Sequence, residues 1–424
     1  MGRLCDPWAY SWIDFIKRIP RERNSCRAPL ETVAWQLDNM LLHLRMADLH
    51  DERATIDWYR TPVARETLKE LNARSDIKGL LQAGGFLALF CFTGAAAIWT
   101  AFNGFWYVTP FLLFLHGTIG SFNINCVHEL CHKTVFKTKF LNDFFLRLYG
   151  FIGWNDWVWF NASHANHHRY TMHPPRDGEV VVPEAYAFLS KKGFWLSAIW
   201  HHNPFPMVWG VIKKARGKWD DDWTLLLFPP DNPEACRRLK NWNRSVVVGH
   251  SLILVATIAV AVYTGRWLWL LVPCVVSFST TYGGCLFYLV NHTQHVGLTD
   301  KVRDFRICCR SMKLPAWASF LYWHMEYHTE HHMYAAVPCY NLRHLQREIA
   351  YDLPKPKGFI GTWVEIAVIL EHQAEDPNYQ YVHPLPETAH ALVMGDAEAE
   401  LVVGTGAVDE GADCDDLNTE NAVS

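Results

Sequence analysis

His128-Glu-Leu-Cys-His132 stands a few residues behind an apolar run that ends at Phe122, and this junction decides the fold. In a helix, residues three or four positions apart share a face, so both imidazoles of the motif point the same way. Imidazole nitrogens suit iron, copper, nickel and zinc. We therefore expect a metal site at the end of an apolar helix.

Three further histidine clusters repeat this pattern along the chain. Two of them read HxxHH, and a chain with 22 histidines should contain one such motif by chance only about 0.06 times. One four-coordinate metal cannot use all of the clustered imidazoles, whereas two metals of higher coordination number can. The nine predicted metal ligands are His128, His132, His164, His167, His168, His295, His328, His331 and His332.

Four apolar runs of about 20 residues, long enough to cross a membrane as helices, cover residues 80–102, 105–122, 245–264 and 267–290. Because only a few residues separate the members of each pair, the runs predict two helical hairpins. Helices buried in a soluble core are the alternative. The predicted fold class is an all-α integral membrane protein with four transmembrane helices and a helical cap that carries the metal site.

The distribution of charge predicts the orientation in the membrane. The turns inside the hairpins carry almost no Lys or Arg, whereas the N-terminal segment and residues 133–244 are rich in both. Positive-inside logic places both termini, the middle region and all nine histidines in the cytoplasm. Residues 1–10 lack the apolar core of a signal peptide. We expect the endoplasmic reticulum membrane in a eukaryote and the inner membrane in a bacterium.

Composition divides the chain into three regions. Residues 1–76 form a polar, helical N-terminal region at the membrane interface, residues 77–372 the catalytic domain, and residues 373–424 an acidic tail that is disordered from about residue 388. Twelve cysteines without a CxxC pair fit a reducing compartment, and the net charge of −4 gives no reason to expect nucleic acid.

The histidine motifs resemble the three boxes of the membrane fatty acid desaturase and hydroxylase superfamily. HELCH, HANHH and HTEHH occur here in the order HxxxH, HxxHH and HxxHH, over roughly residues 55–370. The longer strings HELCHK, NHTQHVGL and YHTEHHMYAAVP are most similar to the branch of rhizopine-catabolism desaturases and related fungal proteins. A partial likeness to alkane hydroxylases fails at the second box and at the number of apolar runs.

The resemblance implies two non-haem irons, dioxygen and an apolar substrate. In it, His295 is a further ligand and Asn291 holds an iron through a water molecule. With no HPGG stretch in the chain, we expect a separate electron donor, either cytochrome b5 with its reductase or a ferredoxin-type carrier. Lys213, Lys214 and Arg216 could meet an acidic carrier, although a solvated or lipid-facing basic patch is the simpler explanation for them.

Two further sets of residues are candidates by position alone. Side chains near a box in sequence could accept a hydrogen bond from the outer ring nitrogen of a ligand histidine. They are Glu129, Asp156, His324, Glu326 and Glu330. Before the second box, Trp154, Asn155 and Trp157 could line a substrate channel, although anchoring at the membrane interface is an equal alternative.

Three reactions stay open at this point. The resemblance favours desaturation of a fatty acyl chain, while hydroxylation, epoxidation or desaturation of a non-lipid small molecule in secondary metabolism is the main alternative. His128 to His132 also matches the HExxH motif of zinc metalloproteases, with Glu129 as general base. That interpretation leaves seven clustered histidines unexplained. A metal transporter would be expected to hold its ligands within the membrane spans, not beyond them.

Overall fold

A computed structural model describes residues 54–180 and 204–391, together with the backbone of residues 402 and 403. It is mostly helical, as predicted. Much of the predicted interfacial region 1–76 and nearly all of the predicted disordered tail lie outside the described residues. The division into three regions therefore stays a prediction.

The first half of the chain forms a helical hairpin that leads into the first histidine box. After strand β1 (Ala54–Thr55) and helix α1 (Arg65–Leu71), Ser75 caps the long helix α2 (Asp76–Phe102), since its hydroxyl accepts from the backbone N–H of Lys78. Helix α3 (Thr109–Ser121) packs back along α2. Only Phe122 separates α3 from helix α4 (Asn123–Cys131), which carries the box.

Between α4 and the second hairpin, the described residues form four helices. They are α5 (Lys139–Ile152), α6 (Trp157–Tyr170), α7 (Pro204–Ala215) and α8 (Asp222–Leu227). Helix α6 carries the second box, and the Asp156 carboxylate caps it by accepting from the backbone N–H of Trp159 at 3.2 Å. Helices α4 and α6 pack together, so the first two boxes share one side of the molecule.

The second hairpin starts with the 32-residue helix α9 (Pro233–Thr264), which ends at Gly265 in the left-handed conformation that glycine adopts without strain. The returning chain is broken. A helical stretch, Trp267–Ser277, contains helix α10 (Leu271–Ser277) and is followed by a short 3-10 turn (Ser279–Thr281) and helix α11 (Cys285–Asn291). Gly117 of α3 lets this stretch approach closely, because a Cβ there would overlap Tyr282.

Among the described residues, two helices are long and apolar enough to cross a membrane, namely α2 and α9. The other two predicted spans are a 13-residue helix and a helix interrupted at Phe278 and Gly283. Many large apolar side chains on these helices face outward, including Phe92, Phe111 and Val255. An outward apolar surface fits lipid better than water. The four-span arrangement and the cytoplasmic cap stay predictions.

The rest of the chain folds over the first two boxes. Its helices are α12 (Phe305–Cys308), α13 (Ala316–Leu321), α14 (His328–Met333), α15 (Leu342–Ile349) and α16 (Phe359–Glu375). Strand β2 (Met312–Lys313) pairs in parallel with β3 (Lys357–Gly358), and β4 (Val402–Val403) pairs antiparallel with β1. The main core packs α2, α4 and α5 against Tyr322, Trp323 and their neighbours. This core holds α14, with the third box, over α4 and α6.

Candidate metal centre

Each histidine box occupies a short helical segment whose end fixes the direction of its imidazoles. His128 lies on α4 and His132 directly follows it, whereas the second and third boxes lie within α6 and α14. His295 lies in the loop after α11. Just beyond the first two boxes, Lys133 and Met172 adopt φ angles of 57° and 60°, which turn the chain away from the site.

All nine predicted ligands meet in two groups. Within each group, one candidate ligand atom per histidine lies within 4.8 Å of every other. The larger group takes residues from all three boxes, and the smaller group draws on the second and third boxes and on His295. The five members of the first group are His128, His132, His164, His168 and His331, and the four of the second are His167, His295, His328 and His332.

The Nε2 atoms, here called the inner nitrogens, are spaced as they would be in metal coordination, and the Nδ1 atoms are called the outer nitrogens. In the first group, the Nε2 atom of His164 lies 3.1 Å from that of His132 and 3.0 Å from that of His168. In the second group, the Nε2 atom of His328 lies 2.8 Å from that of His295 and 3.1 Å from that of His332. Two nitrogens that each bind a metal at about 2.1 Å and at right angles are about 3.0 Å apart. Within each group the imidazoles are therefore spaced as neighbouring ligands of a metal ion would be.

Several outer ring nitrogens point to hydrogen-bond acceptors, which fixes the tautomer of those rings. The Nδ1 atom of His295 lies 2.8 Å from the carbonyl oxygen of Cys308. A carbonyl can only accept, so Nδ1 carries the hydrogen and Nε2 of the neutral ring is left with its lone pair facing the group. Nδ1 of His167 lies 3.0 Å from Asp177, and Nδ1 of His164 lies 2.8 Å from Glu179. This is the outer-sphere arrangement of metal-bound histidines.

Burial keeps most of these imidazoles in the neutral form that binds a metal. It lowers the pKa of His128, His132 and His295 to about 3. His167 differs, because the carboxylate of Asp177 outweighs the effect of burial and raises the pKa of that imidazole. Burial also raises the pKa of Glu179 to about 7. Neutral imidazoles beside buried carboxyl groups form a donor set that fits iron.

One carboxylate from the predicted outer-sphere set contacts the clustered histidines. Glu129 lies 2.9 Å from Nδ1 of His128 and 3.8 Å from Nδ1 of His331, so it touches two members of the first group. The pKa of its carboxyl group is raised by burial to about 7.

The other predicted outer-sphere residues have different partners in the described contacts. Asp156 accepts from the Asn243 amide at 2.7 Å and caps α6. Glu330 accepts from Ser311 at 2.5 Å, and Glu326 accepts from Ser319. Nδ1 of His324 lies 2.9 Å from the Ser319 hydroxyl, and His324 is in neither histidine group. These four residues lie near a box in sequence but support the surrounding fold.

The predicted channel residues pack between helices. Trp154 donates from Nε1 to the carbonyl of Ser277 at 2.6 Å and stacks on His250 with ring centroids 4.1 Å apart. Trp157 meets Trp242 edge-on, and the Trp242 indole donates to the carbonyl of Asn155 at 3.1 Å. Their contact with a substrate stays a prediction. So does the water-mediated role of Asn291, the last residue of α11.

The predicted basic patch contacts its own chain. Lys213 pairs with Asp220 at 2.8 Å, Lys214 lies 3.4 Å from Asp156, and the Arg216 guanidinium lies over the ring of Trp209. These contacts tie α7 to neighbouring segments. A role for the patch in docking a carrier stays a prediction.

Sequence reasoning missed Asp177 and Glu179. Both follow the second box in the stretch HPPRDGE, at 10 and 15 residues from their histidines. The Asp177 carboxylate also accepts from the backbone N–H of Met172, so the loop after α6 folds back onto the box. Two acidic residues shortly after a ligand cluster were the available signal, but the sequence does not show that the loop returns.

Comparison with known proteins agrees with this site. No curated protein matches the chain. The family model described as fatty acid desaturase matches residues 103–363, a stretch that includes all nine clustered histidines. This family consists of membrane-associated oxidoreductases, and its histidine clusters bind metal. Since the match spans more than half of the sequence, the chain belongs to the fatty acid desaturase family.

Proposed function

We propose that the protein is an O2-dependent, non-haem di-iron oxidase that removes hydrogen from an unactivated C–H bond, and that its reaction is fatty acyl desaturation. The observation that carries this proposal is the pair of histidine groups with their inner nitrogens about one ligand–ligand distance apart. Unactivated C–H bonds are inert to acid–base groups, so the oxidising power comes from the irons and dioxygen.

The chain's own residues would then perform three tasks. His128, His132, His164, His168 and His331 hold one iron, and His167, His295, His328 and His332 hold the other. Glu129, Asp177 and Glu179 orient the imidazoles through their Nδ1 atoms. Seven of the nine histidines are buried, and His132 and His168 are partly buried, which keeps most water away from the reacting groups.

A turnover of this kind needs a partner as well as a substrate. Desaturation consumes one O2, two electrons and two protons and releases two waters, so electrons must reach the site. We propose that cytochrome b5 with its reductase, or a ferredoxin-type carrier, supplies them. The substrate is membrane lipid or an acyl chain derived from it. We propose that the protein crosses the membrane four times and that its metal site, on the cytoplasmic side, acts on this substrate.

Hydroxylation or epoxidation of a non-lipid apolar molecule is the second candidate. Oxygen transfer to carbon uses the same number of electrons as desaturation, namely two. The observation that favours it is Asn123, whose side chain is buried near the first box without a hydrogen-bond partner in the described part of the chain. A buried amide without a hydrogen-bond partner is costly. A substrate with a polar group would remove that cost.

The HExxH protease interpretation is weaker. Glu129 contacts the outer nitrogens of two clustered histidines, whereas a general base would face a metal-bound water. Membership of an oxidoreductase family also favours an oxidase over a protease. A metal transporter would need ligands inside the apolar helices, and the clusters lie on α4, α6 and α14 or in loops.

Metal analysis of the detergent-purified protein tests the proposal. We expect two irons per chain in the wild type, fewer in His164→Ala and His332→Ala, and two in His344→Ala, a control histidine exposed on α15. Mass spectrometry of host lipids, in a host with its own electron carriers, then identifies the reaction. A loss of two mass units on acyl chains supports desaturation, and a gain of sixteen supports oxygen insertion. One zinc and no iron would contradict the proposal.

A further inference from the structure

Trp58 lies at the surface next to the second histidine group. The residue is half-buried, and its indole N–H donates to the carbonyl of Arg169 at 3.0 Å, one residue beyond the second box. The ring meets His173 edge-on, with centroids 5.5 Å apart. An aromatic ring that reaches solvent on one side therefore lies against the end of α6.

Two short ring contacts connect Trp58 to a metal-binding histidine. Trp58 stacks on Phe305 with centroids 4.1 Å apart and planes 12° apart. Phe305 is buried, and its centroid lies 5.4 Å from that of His332 in the second group. Electron tunnelling slows exponentially with distance through the intervening medium, so a chain of contacting rings is a favourable route between the surface and the metal centre.

Neighbouring contacts hold Trp58 in place. The next residue, Tyr59, donates its hydroxyl hydrogen to Asp352 at 2.8 Å and lies under the Arg306 guanidinium, 4.1 Å from the ring centroid. Its backbone N–H donates to the carbonyl of Arg303 at 2.8 Å. The side chains of Asp352 and Arg306 are fully buried and paired at 2.7 Å. Their network fixes the backbone beside Trp58, so the ring stacking is a pre-organised feature.

The surface around Trp58 is basic. In the segments 57–60, 169–176 and 301–305, the exposed charged residues are Arg60, Arg169 and Lys301 against one carboxylate, Asp57. The backbone N–H of Lys301 donates to the carbonyl of Met172, so these segments adjoin one another. A basic surface attracts an acidic partner and speeds its encounter.

We propose that Trp58 and the cations around it form the docking surface for an acidic one-electron carrier protein, and that Trp58, Phe305 and His332 mark the route of electron entry. This inference rests on the proposed function. In each encounter the reduced carrier loses one electron and one ferric ion of the centre gains it, with no bond made or broken. Two encounters supply the two electrons of one turnover.

Carrier binding tests the docking surface without reference to turnover. The probes are the soluble haem domain of a cytochrome b5 and a plant-type ferredoxin, each titrated against the full chain in detergent at low salt. We expect the double variant Arg60→Glu/Lys301→Glu to bind the preferred carrier about tenfold more weakly than the wild type. The matched control Arg147→Glu/Arg237→Glu changes the net charge equally at two exposed residues elsewhere and should bind like the wild type.

Anaerobic mixing with reduced carrier tests the route. Trp58→Leu removes the stacked ring and should slow oxidation of the bound carrier about tenfold, a change of roughly 1.4 kcal/mol in the barrier. Trp58→Phe keeps a ring over Phe305 and should restore most of the rate. The rate is measured with saturating carrier, so that a change in the carrier's Kd does not enter it, and the iron content should stay unchanged in both variants.

The outcomes separate this proposal from the proposed function. Equal binding by the Arg60→Glu/Lys301→Glu variant and the wild type, equal weakening in the control, or no wild-type binding of either carrier would overturn the docking surface. An unchanged rate in Trp58→Leu would overturn the route. If the purified wild type holds no iron, the proposed function fails while the binding comparison still decides the docking surface.

Discussion

At the scale of single residues, the carboxylates near the histidine boxes have different roles that their sequence positions do not reveal. Asp177 lies ten residues beyond His167 and yet contacts its outer nitrogen at 3.0 Å. Asp156 lies closer to the second box in sequence but caps α6 and accepts from Asn243. The two aspartates therefore predict opposite effects of substitution.

Asp177→Asn should weaken metal binding without unfolding the protein. The amide cannot accept the His167 Nδ1 hydrogen as strongly as the carboxylate, so the imidazole loses its orientation and basicity. We expect iron affinity to fall about 10- to 100-fold, as for other outer-sphere partners of metal ligands. Competition with a chelator measures it. Asp143→Asn, at an exposed ion pair with Lys139, is the control and should keep full affinity.

Asp156→Ala should lower the stability of the fold and leave iron affinity unchanged, the reverse of Asp177→Asn. Loss of the cap at the start of α6 and of the Asn243 contact should lower the free energy of unfolding by about 1–2 kcal/mol. Iron affinity should stay near that of the wild type, because no clustered histidine contacts this carboxylate in the described structure. Thermal denaturation in detergent measures the change in stability, and chelator competition measures the iron affinity. Loss of iron with unchanged stability would show that Asp156 supports the metal site directly.

At the scale of elements, helix α16 holds the loop that supplies His295. Glu365 on this helix pairs with Arg310 at 3.2 Å and with Lys357 at 2.6 Å. Arg310 in turn donates to the carbonyls of Thr293 and Val296, on either side of His295. One buried ion pair thus connects α16 to the second histidine group, although the two are far apart in sequence.

The Glu365–Arg310 pair predicts acid sensitivity of the fold. Burial alone would raise the pKa of Glu365, but Lys357 and Arg310 outweigh it and lower that pKa. A lowered pKa in the folded state means that the pair stabilises fully above the unfolded value of about 4.3 and that this stability is lost as pH falls further.

Glu365→Gln should remove that contribution already at neutral pH, because it leaves Arg310 buried without a counter-charge. The expected cost is about 3 kcal/mol in the free energy of unfolding. Its stability should then change less than that of the wild type between pH 5 and pH 3, an interval set by the roughly 4.3 of a free glutamate. Denaturation as a function of pH measures both. Parallel curves for the two proteins would contradict the assignment.

At the scale of the whole molecule, the histidine groups join parts of the chain that are remote in sequence. Residues 128–132, 164–168, 295 and 328–332 come together across both hairpins. A ligand that binds only the folded state stabilises it by mass action, and a bound ion in either group links three of these segments at once.

Removing the metal should therefore destabilise the entire fold. At a free iron concentration about 100 times the Kd, each of the two ions adds about 2.7 kcal/mol, so stripping both should lower Tm by about 6 °C. Scanning calorimetry before and after chelation measures the shift, and adding iron back should restore it. His344→Ala should show the full shift, while His328→Ala should show about half of it, because only the second group loses a ligand. Equal Tm values with and without metal would contradict linkage between the site and the fold.

Local sequence patterns predicted the clustered histidines and two of the apolar helices. The helical spacing of HELCH, HANHH and HTEHH identified nine histidines that the structure gathers into two groups, because ligand spacing within a box is a property of one or two helical turns. Apolar runs likewise predicted α2 and α9. The run 267–290 is not one continuous helix. Its break at Phe278 and Gly283 could not be predicted from local patterns, because it reflects close packing against α3.

The sequence alone therefore determined the residue types, the helical class and the chemistry of the donor set. The tertiary structure decided which histidines share a group, dividing the second box so that His167 joins His295 while His164 and His168 join His132. It also decided that Asp177 and Glu179 orient imidazoles and that Trp58 stacks beside His332 through Phe305. These outcomes depend on loops returning to distant helices. Periodicity has no information about such contacts, because it reports only neighbours within a few turns.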